Sequence, residues 1–283
     1  MKAKIIVLGN CVANRLQEML VACPAVAQQY ELVQAPMIHL LHDPLQWDAL
    51  AAKALCCDCI LTQPLFSFGP CNTNSLRERL SSKQRLVVFP SPDFEAYFPD
   101  VVHLKRPDNP KFPPILDWDS SIIFSCYAKG ISVFDVARIY RNHWLFRGSS
   151  VMEGIASTLH KYAERERGVD IQSLPHVLRH YAKSKLFHSP KHPADSLMEL
   201  LWQGLGKALA LGPHTSQPQV QGFGFNQWPL VTWQHKLFHF PAQEYFVIGG
   251  RQTSLEDTAM ACYNFYEFHP QMVQWNMDKV IAL

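Results

Sequence analysis

A chain of 283 residues that is 48% hydrophobic and 18% charged is an ordered globular protein with length for a large core, not a disordered one. Its formal net charge of +2 supplies no global field, which argues against nucleic acid or an acidic membrane as partner. The apolar run behind Met1-Lys2-Ala3-Lys4 stops at Gly9-Asn10, too short for a signal-peptide core, and no stretch approaches a transmembrane helix in length. The eight cysteines are accordingly expected to be reduced thiols in a cytoplasmic protein.

Lys4-Ile5-Ile6-Val7-Leu8 shows no amphipathic alternation and reads as a short strand buried on both faces, as in a parallel sheet. Gly9-Asn10 breaks the run, and a helix is expected over residues 11–23 with Leu16, Met19 and Leu20 on its apolar face. A strand that turns tightly into a helix presents the turn at the carboxyl edge of an open α/β sheet, where such folds bind ligands. The residue presented there is Cys11. Amide groups at a helix start favour a thiolate and can hold a developing oxyanion, which makes Cys11 the leading candidate nucleophile. The plainer role for a free cysteine is that of a small buried hydrophobe.

Glu31 to Gln34 reads as a second strand. Asp43 then caps a helix that has Pro44 at its first position and runs to Leu55, with Leu45, Leu50 and Ala54 turned inward. Cys56 to Pro64 is a third strand and its exit. Cys56 and Cys59 have the gap of a zinc knuckle, but no second pair follows, so packed thiols and no metal are expected. Gln63-Pro64 leaves on the same sheet edge as Cys11 if the strands are parallel. Leu76 to Leu80 is a short helix, and Arg85 to Pro90 is a fourth strand that exits through Ser91-Pro92-Asp93. Four strand–helix alternations in about 100 residues indicate a parallel sheet. No glycine-rich phosphate loop accompanies it. The expected fold class is α/β, with a short parallel sheet and flanking helices, of SGNH or flavodoxin type, over residues 1–120. A mainly helical region over 121–212 and an aromatic-rich segment with a C-terminal helix over 213–283 would follow, as three regions or as one domain.

Residues 105–120 are proline-rich and read as a loop. From Ser121 to about His188 the pattern is helical: Val133, Val136, Ala137 and Tyr140 recur at helical spacing, as do Ile155, Leu159 and Tyr162. The charged run Lys161 to Arg167 is a solvated helix face, and His176 and His180 share a face without a third metal ligand in view. Two prolines in Leu186 to Asp195 exclude a helix there, so His188 and His192 are expected on a constrained loop before a helix from Ser196 to Leu211. A rigid loop histidine suits a general base or a phosphate contact, and equally a simple structural hydrogen bond. The aromatics of 213–253 would line a carbohydrate or cofactor groove, or else cover the core. A helix from Ser254, its cap, to Phe268 closes the chain.

Three stretches carry a family resemblance: the opening strand with Gly9-Asn10-Cys11; Gln63-Pro64 with the later Phe89-Pro90 to Asp100 segment; and Leu186-Phe187-His188-Ser189 leading to His192-Pro193. In order and spacing the chain, over about residues 4–210, resembles the WcbI-type capsular polysaccharide acetyltransferases. That resemblance implies coenzyme A or acetyl-CoA as ligand, and O-acetylation of a sugar hydroxyl in a surface-polysaccharide precursor. Gly9-Asn10-Cys11 is also similar to the Gly-Asp-Ser turn of SGNH-type esterases, with cysteine in the serine position. No Asp-x-x-His occurs near the C-terminus, where Glu267-Phe268-His269 lacks the spacing.

The chemistry so implied is acyl transfer. Cys11 attacks the thioester of acetyl-CoA, and a histidine, His192 ahead of His188 or His42, deprotonates the sugar hydroxyl. The Gly9 amide, the first helical amides and the Asn10 side chain hold the oxyanion. Arg15, Lys185 and Lys191 suit the phosphates of coenzyme A, with Asn10, Gln63, Ser91 and His188 completing the cofactor set. The partners are then a small acyl donor and a carbohydrate acceptor, with no metal, no nucleic acid and no membrane span; a homodimer is compatible with the sequence. Two rivals compete with this reading. An SGNH-like hydrolase would cleave small aryl esters without coenzyme A, and a non-catalytic protein would hold a glycan or coenzyme A without ester turnover.

Overall fold

The computed structural model describes residues 2–106, 118–212 and 216–283. Most of the proline-rich stretch expected as a loop, 107–117, lies outside the described residues. In chain order the elements are β1 (Ala3–Leu8), α1 (Cys11–Ala22), α2 (Pro24–Gln29), β2 (Tyr30–Val33), α3 (Pro44–Leu55), β3 (Cys59–Thr62), α4 (Thr73–Arg79) and β4 (Arg85–Val88). Then follow β5 (Val101–Val102), β6 (Asp119–Ser120), α5 (Ser121–Ala128), α6 (Val133–Asn142), α7 (Gly148–Arg165) and α8 (Leu174–His180). Last come β7 (Phe187–Ser189), β8 (His192–Pro193), α9 (Asp195–Ala208), α10 (Thr232–His235), β9 (Tyr245–Ile248), β10 (Arg251–Ser254), α11 (Leu255–Phe268) and α12 (Pro270–Trp275). No helix among the described residues is long and apolar enough to cross a membrane.

The chain divides into two compact units assembled from interleaved segments rather than consecutive ones. The first comprises Met1–Pro92, Lys161–Leu178 and Pro193–Gly222. Its centre is a four-stranded parallel sheet of order β2-β1-β3-β4, in which Ile5 pairs with Leu32 on one side and Cys59 on the other. Ile5 to Leu8 of β1 and all of β3 are buried, as their unbroken apolar runs require of strands covered on both faces. The α/β class is therefore as expected. At α3, Asp43 Oδ1 accepts from the Leu45 amide at 2.9 Å, Gln46 reaches back to the Asp43 amide, and Pro44 takes the first position. The inward face of α3 carries Leu50, Ala51 and Ala54, whereas Leu45, expected inward, is 73% exposed. At ~100° per residue Leu45 falls on the side opposite Ala54, so Leu50 and Ala54 lie inward as expected and Leu45 does not. The third strand also begins later than its apolar run suggested. Cys56 to Asp58 form a turn, held by Gln84 Nε2 donating to the Leu55 and Cys57 carbonyls at 2.7 and 2.8 Å.

Later segments of this unit close the β4 edge. The Val88 amide donates to Asp170 Oδ2 at 2.7 Å, and the Asp170 amide returns a bond to the Val88 carbonyl at 2.8 Å. Glu166 is buried, and its carboxylate accepts from the Ser173 and Leu174 amides at the start of α8, which satisfies donors that a helix start leaves open. The expected solvated face at 161–167 therefore holds two inward residues, Tyr162 and Glu166.

The second unit comprises Asp93–His160, Arg179–His192 and Phe223–Leu283. Its core is aromatic: Phe94 stacks on Phe187 at 5.4 Å, and Tyr97 meets Phe238 and Phe240 edge-on. Trp228, Phe238, Phe240 and Phe246 are all buried, so much of the late aromatic content covers the core. Gly249 and Gly250, at φ +57° and +80°, turn β9 into β10, a two-residue reversal that favours glycine. Ser254 caps α11 by accepting from the Asp257 amide at 3.0 Å, as expected. Asn276 clasps Lys105, accepting from its amide at 2.7 Å and donating to its carbonyl at 2.9 Å.

Asp100 is buried in this unit. Burial lifts its carboxyl to about 6, against the opposing pull of hydrogen bonds from Ser120 and Tyr140. Its folded pKa stands above the unfolded value of about 3.9. The stabilising proton is therefore fully bound below about pH 4 and lost as pH rises through 6. The difference corresponds to roughly 3 kcal/mol of stability present in acid and absent at neutral pH. Urea unfolding of the native protein and of Asp100→Asn at pH 4 to 7 should show this component in the native protein alone. Parallel curves for the two proteins would contradict it.

Candidate functional site

The turn after β1 is built by three neighbouring strands. The Gln63 amide donates to the Leu8 carbonyl at 3.1 Å, which aligns the exits of β1 and β3. Gly9 has φ +153°, and a Cβ placed on it would lie 2.3 Å from Gln63 Oε1 and 2.7 Å from Ala13 Cβ. Only glycine fits this position. The close approach lets Gln63 Oε1 accept from the Asn10 amide at 2.8 Å, while Gln63 Nε2 donates to the Pro90 carbonyl beyond β4. Asn10 is the N-cap of α1: its Oδ1 accepts from the Val12 amide at 2.9 Å, and its Nδ2 donates to Ser91 Oγ at 3.3 Å. Gly9, Asn10, Gln63 and Ser91 thus form one cluster at the carboxyl edge of the sheet, with Cys11 next, as the first residue of α1. A shallow depression lined by Gly9, Ala13, Asn14, Gln17 and Met37 among others lies beside the turn.

Cys23, Cys57, Cys59, Cys71 and Cys126 are buried, Cys56 is exposed on its turn, and Cys11 and Cys262 are half-buried; of these two only Cys11 stands at the first position of a helix. Burial pushes the thiols of Cys59, Cys71 and Cys126 up to about 11, and that of Cys262 up to about 12, so these stay protonated at neutral pH. Cys71 Sγ also donates to the Trp47 carbonyl at 3.1 Å. Cys56 and Cys59, the pair at knuckle spacing, are one exposed and one inside the sheet. No group of three or more His, Cys, Asp or Glu among the described residues could hold a metal ion.

The other candidates are placed as follows. Arg15, on α1, pairs with Glu18. His42 is exposed just ahead of α3. Lys185, His188, Lys191 and His192 belong to the second unit. His188 and His192 do not lie on a loop: β7 and β8 form a small two-stranded sheet around a Pro190-Lys191 turn. The prolines exclude a helix there but are compatible with a turn and an edge strand, and the Pro190 carbonyl accepts from the Phe94 amide at 2.7 Å. His192 is buried, and its ring stacks on Phe223 at 4.8 Å and 5°. Lys185 donates to Gln243 Oε1 at 2.9 Å and Gln227 Oε1 at 3.3 Å, and burial lowers its pKa to about 8. The Lys191 ammonium sits 5.0 Å over the Trp118 ring. Each of these lysines thus already has partners within its own unit. Ala13, which with Gln63 makes Gly9 obligatory, went unread in the sequence, where a small residue in an apolar helix carries no distinguishing mark.

Residues 4–214 match the family described as polysaccharide biosynthesis enzyme WcbI. Among solved structures, WcbI, described as a novel polysaccharide biosynthesis enzyme, aligns with a TM-score of 0.80 at 19% identity, over 99% of this chain and 95% of its own. That structure is of the native protein without a disulfide bond between coenzyme A and one of its cysteines. No curated protein sequence matches the chain. At such identity the structural likeness establishes a shared fold, while the match over most of the sequence establishes the family. The chain belongs to the WcbI family of polysaccharide biosynthesis enzymes.

Proposed function

We propose that the protein transfers an acetyl group from acetyl-CoA to a hydroxyl of a sugar in a surface-polysaccharide precursor, by way of Cys11. The observation that carries this reading is the placement of a half-buried thiol at the first position of a capped helix, on the carboxyl edge of a parallel sheet. The positive end of the helix dipole and the amides of its first turn favour the thiolate there. The structural neighbour, described in terms of coenzyme A and a cysteine of its own, supports coenzyme A as donor.

In the proposed reaction the Cys11 sulfur attacks the thioester carbonyl, the bond from that carbon to the coenzyme A sulfur breaks, and the coenzyme A thiolate leaves and takes a proton. Thioester exchange is close to thermoneutral, so the acetyl-Cys11 intermediate is accessible. The sugar oxygen then attacks the acetyl carbon, its proton passes to a histidine, and the Cys11 thiolate departs. His192 is our candidate for that base, its ring orientation fixed by stacking on Phe223. The Asn10 amide is committed to Gln63 and the Val12 amide to the Asn10 side chain, so the oxyanion falls to the Gly9 amide and the remaining amides of the first α1 turn, with the second hydrogen of Asn10 Nδ2 beside them. Arg15 is the preferred phosphate partner, exchanging Glu18 for the ligand.

Calorimetric titration with coenzyme A and acetyl-CoA, before and after thiol alkylation, tests the donor. Saturable binding that weakens when Cys11 is the modified residue is expected. Absence of binding, together with hydrolysis of small aryl esters in the absence of coenzyme A, would replace the transferase by a hydrolase.

A further inference from the structure

Gln63 is a buried polar residue, and its hydrogen bonds reach both neighbouring strand exits and the turn before Cys11. Pro64 has no N–H to donate and favours extended backbone at the residue before it, so the β1–β3 ladder runs out at Gln63, whose own amide still donates to the Leu8 carbonyl. The Gln63 carbonyl accepts from Thr62 Oγ1 at 2.9 Å and from Thr73 Oγ1 at 3.2 Å, which fixes the backbone that the side chain leaves from. The side-chain amide then has one orientation. Its Oε1 meets an N–H, that of Asn10 at 2.8 Å, and its Nε2 meets a carbonyl, that of Pro90 at 3.4 Å. A flipped amide would set donor against donor and acceptor against acceptor. Asn10 repeats the connection, its Nδ2 donating to Ser91 Oγ at 3.3 Å, so the turn is tied twice to the chain that leaves β4.

We propose that Gln63, expected from the sequence as a cofactor contact, is instead the positioning residue of the nucleophile: it ties the Asn10 amide to the β4 exit and so holds the first turn of α1, with Cys11 on it, while adding no charge beside the thiolate. At 2% exposure and with both ends of its amide engaged, the side chain has no face left for a ligand. Without Gln63 Oε1 the Asn10 amide would be an unsatisfied donor, and the turn would have to shift to satisfy it. This role presupposes Cys11 as the nucleophile of the proposed transfer.

Gln63→Glu is the informative variant. A protonated carboxyl reproduces the amide, one oxygen accepting from Asn10 and the O–H donating to Pro90; an ionised one has only acceptors, and it places a negative charge next to the turn. Burial and the facing carbonyl hold the introduced carboxyl above its ordinary value of about 4.3, so the native-like form exists in acid and is lost as pH rises. The readout is the rate at which iodoacetamide alkylates Cys11 in the full chain, mapped by mass spectrometry from about pH 5.5 to about pH 8.5 and divided by the native rate at each pH. For Gln63→Glu that ratio should be near one at the acid end and fall at least about tenfold at the alkaline end, because a like charge disfavours the thiolate. Gln63→Leu carries no titrating group, and its ratio should be flat. Cys59 and Cys71 are buried and should stay unmodified throughout, which reports an intact fold. At the acid end Gln63→Glu should bind coenzyme A within about threefold of the native affinity. A ratio for Gln63→Glu that does not change with pH would overturn the proposal. So would alkylation of Cys59 and Cys71 along with Cys11 at every pH, which would make Gln63 a residue of the fold alone, or a loss of coenzyme A affinity of about tenfold or more at the acid end, which would make it a ligand contact. Alkylation uses neither acetyl-CoA nor sugar, so failure of this role and failure of the acyl-transfer reading are separate results.

Discussion

Cys11→Ala is expected to lower transfer to sugar by on the order of 10⁴-fold or more, the loss usual when a covalent nucleophile is removed. The fold should tolerate the change. Cys11 is half-buried, the helix keeps its Asn10 cap, and alanine is at ease in a first turn, so stability should move by about 0.5 kcal/mol or less. That separation of activity from stability makes the variant informative. If turnover stays within about tenfold of the native rate, the acetyl group passes directly from donor to acceptor and Cys11 is only part of the wall. Steady-state transfer with acetyl-CoA and a sugar precursor, together with a thermal melt, measures both quantities.

Gly9→Ala is expected to damage stability and activity together. An added methyl would stand 2.3 Å from Gln63 Oε1 and 2.7 Å from Ala13 Cβ, at a φ of +153° that side chains rarely adopt. Neither neighbour can retreat cheaply: Gln63 is 2% exposed and bonded to the Asn10 amide, and Ala13 is fixed to the helix backbone. Backbone strain and the broken Gln63–Asn10 bond should cost about 2–4 kcal/mol together. The shift also moves the first turn of α1. A displacement of about 1 Å at a reacting group is enough to cost about 10²-fold in rate. Gly249→Ala is the control, because φ is again positive, at +57°, but a Cβ there meets nothing within 4 Å. It should lose stability through strain alone and leave transfer untouched. Equal loss of activity in the two variants would show that the Gly9 turn has no special part in catalysis.

The parts of this protein that could be read from its sequence are those written locally. The apolar run Ile5 to Leu8, the Gly9-Asn10 break and the Asp43-Pro44 entry each encode a strand, a turn or a cap within a few residues, and each stands where it was expected. Leu45 was misplaced because its phase is decided by the face that α3 buries, not by its own hydrophobicity. The small β7–β8 sheet was taken for a loop because prolines forbid a helix without forbidding a short edge strand. At the candidate site, the placement of Cys11 at the start of α1 was legible from its turn. The Gln63 side chain holding the Asn10 amide, 53 positions away in sequence, was foreseen only as a shared sheet edge.

The central claim is a covalent acetyl-Cys11 enzyme. Its most direct test is intact-mass spectrometry of the protein quenched within seconds of mixing with acetyl-CoA, without sugar, followed by peptide mapping. We expect one acetyl group per chain, mapped to the peptide that contains Cys11, absent from Cys11→Ala and discharged when an acceptor sugar is added. Transfer to sugar that proceeds at full rate with no acetyl group ever found on Cys11 would contradict the account.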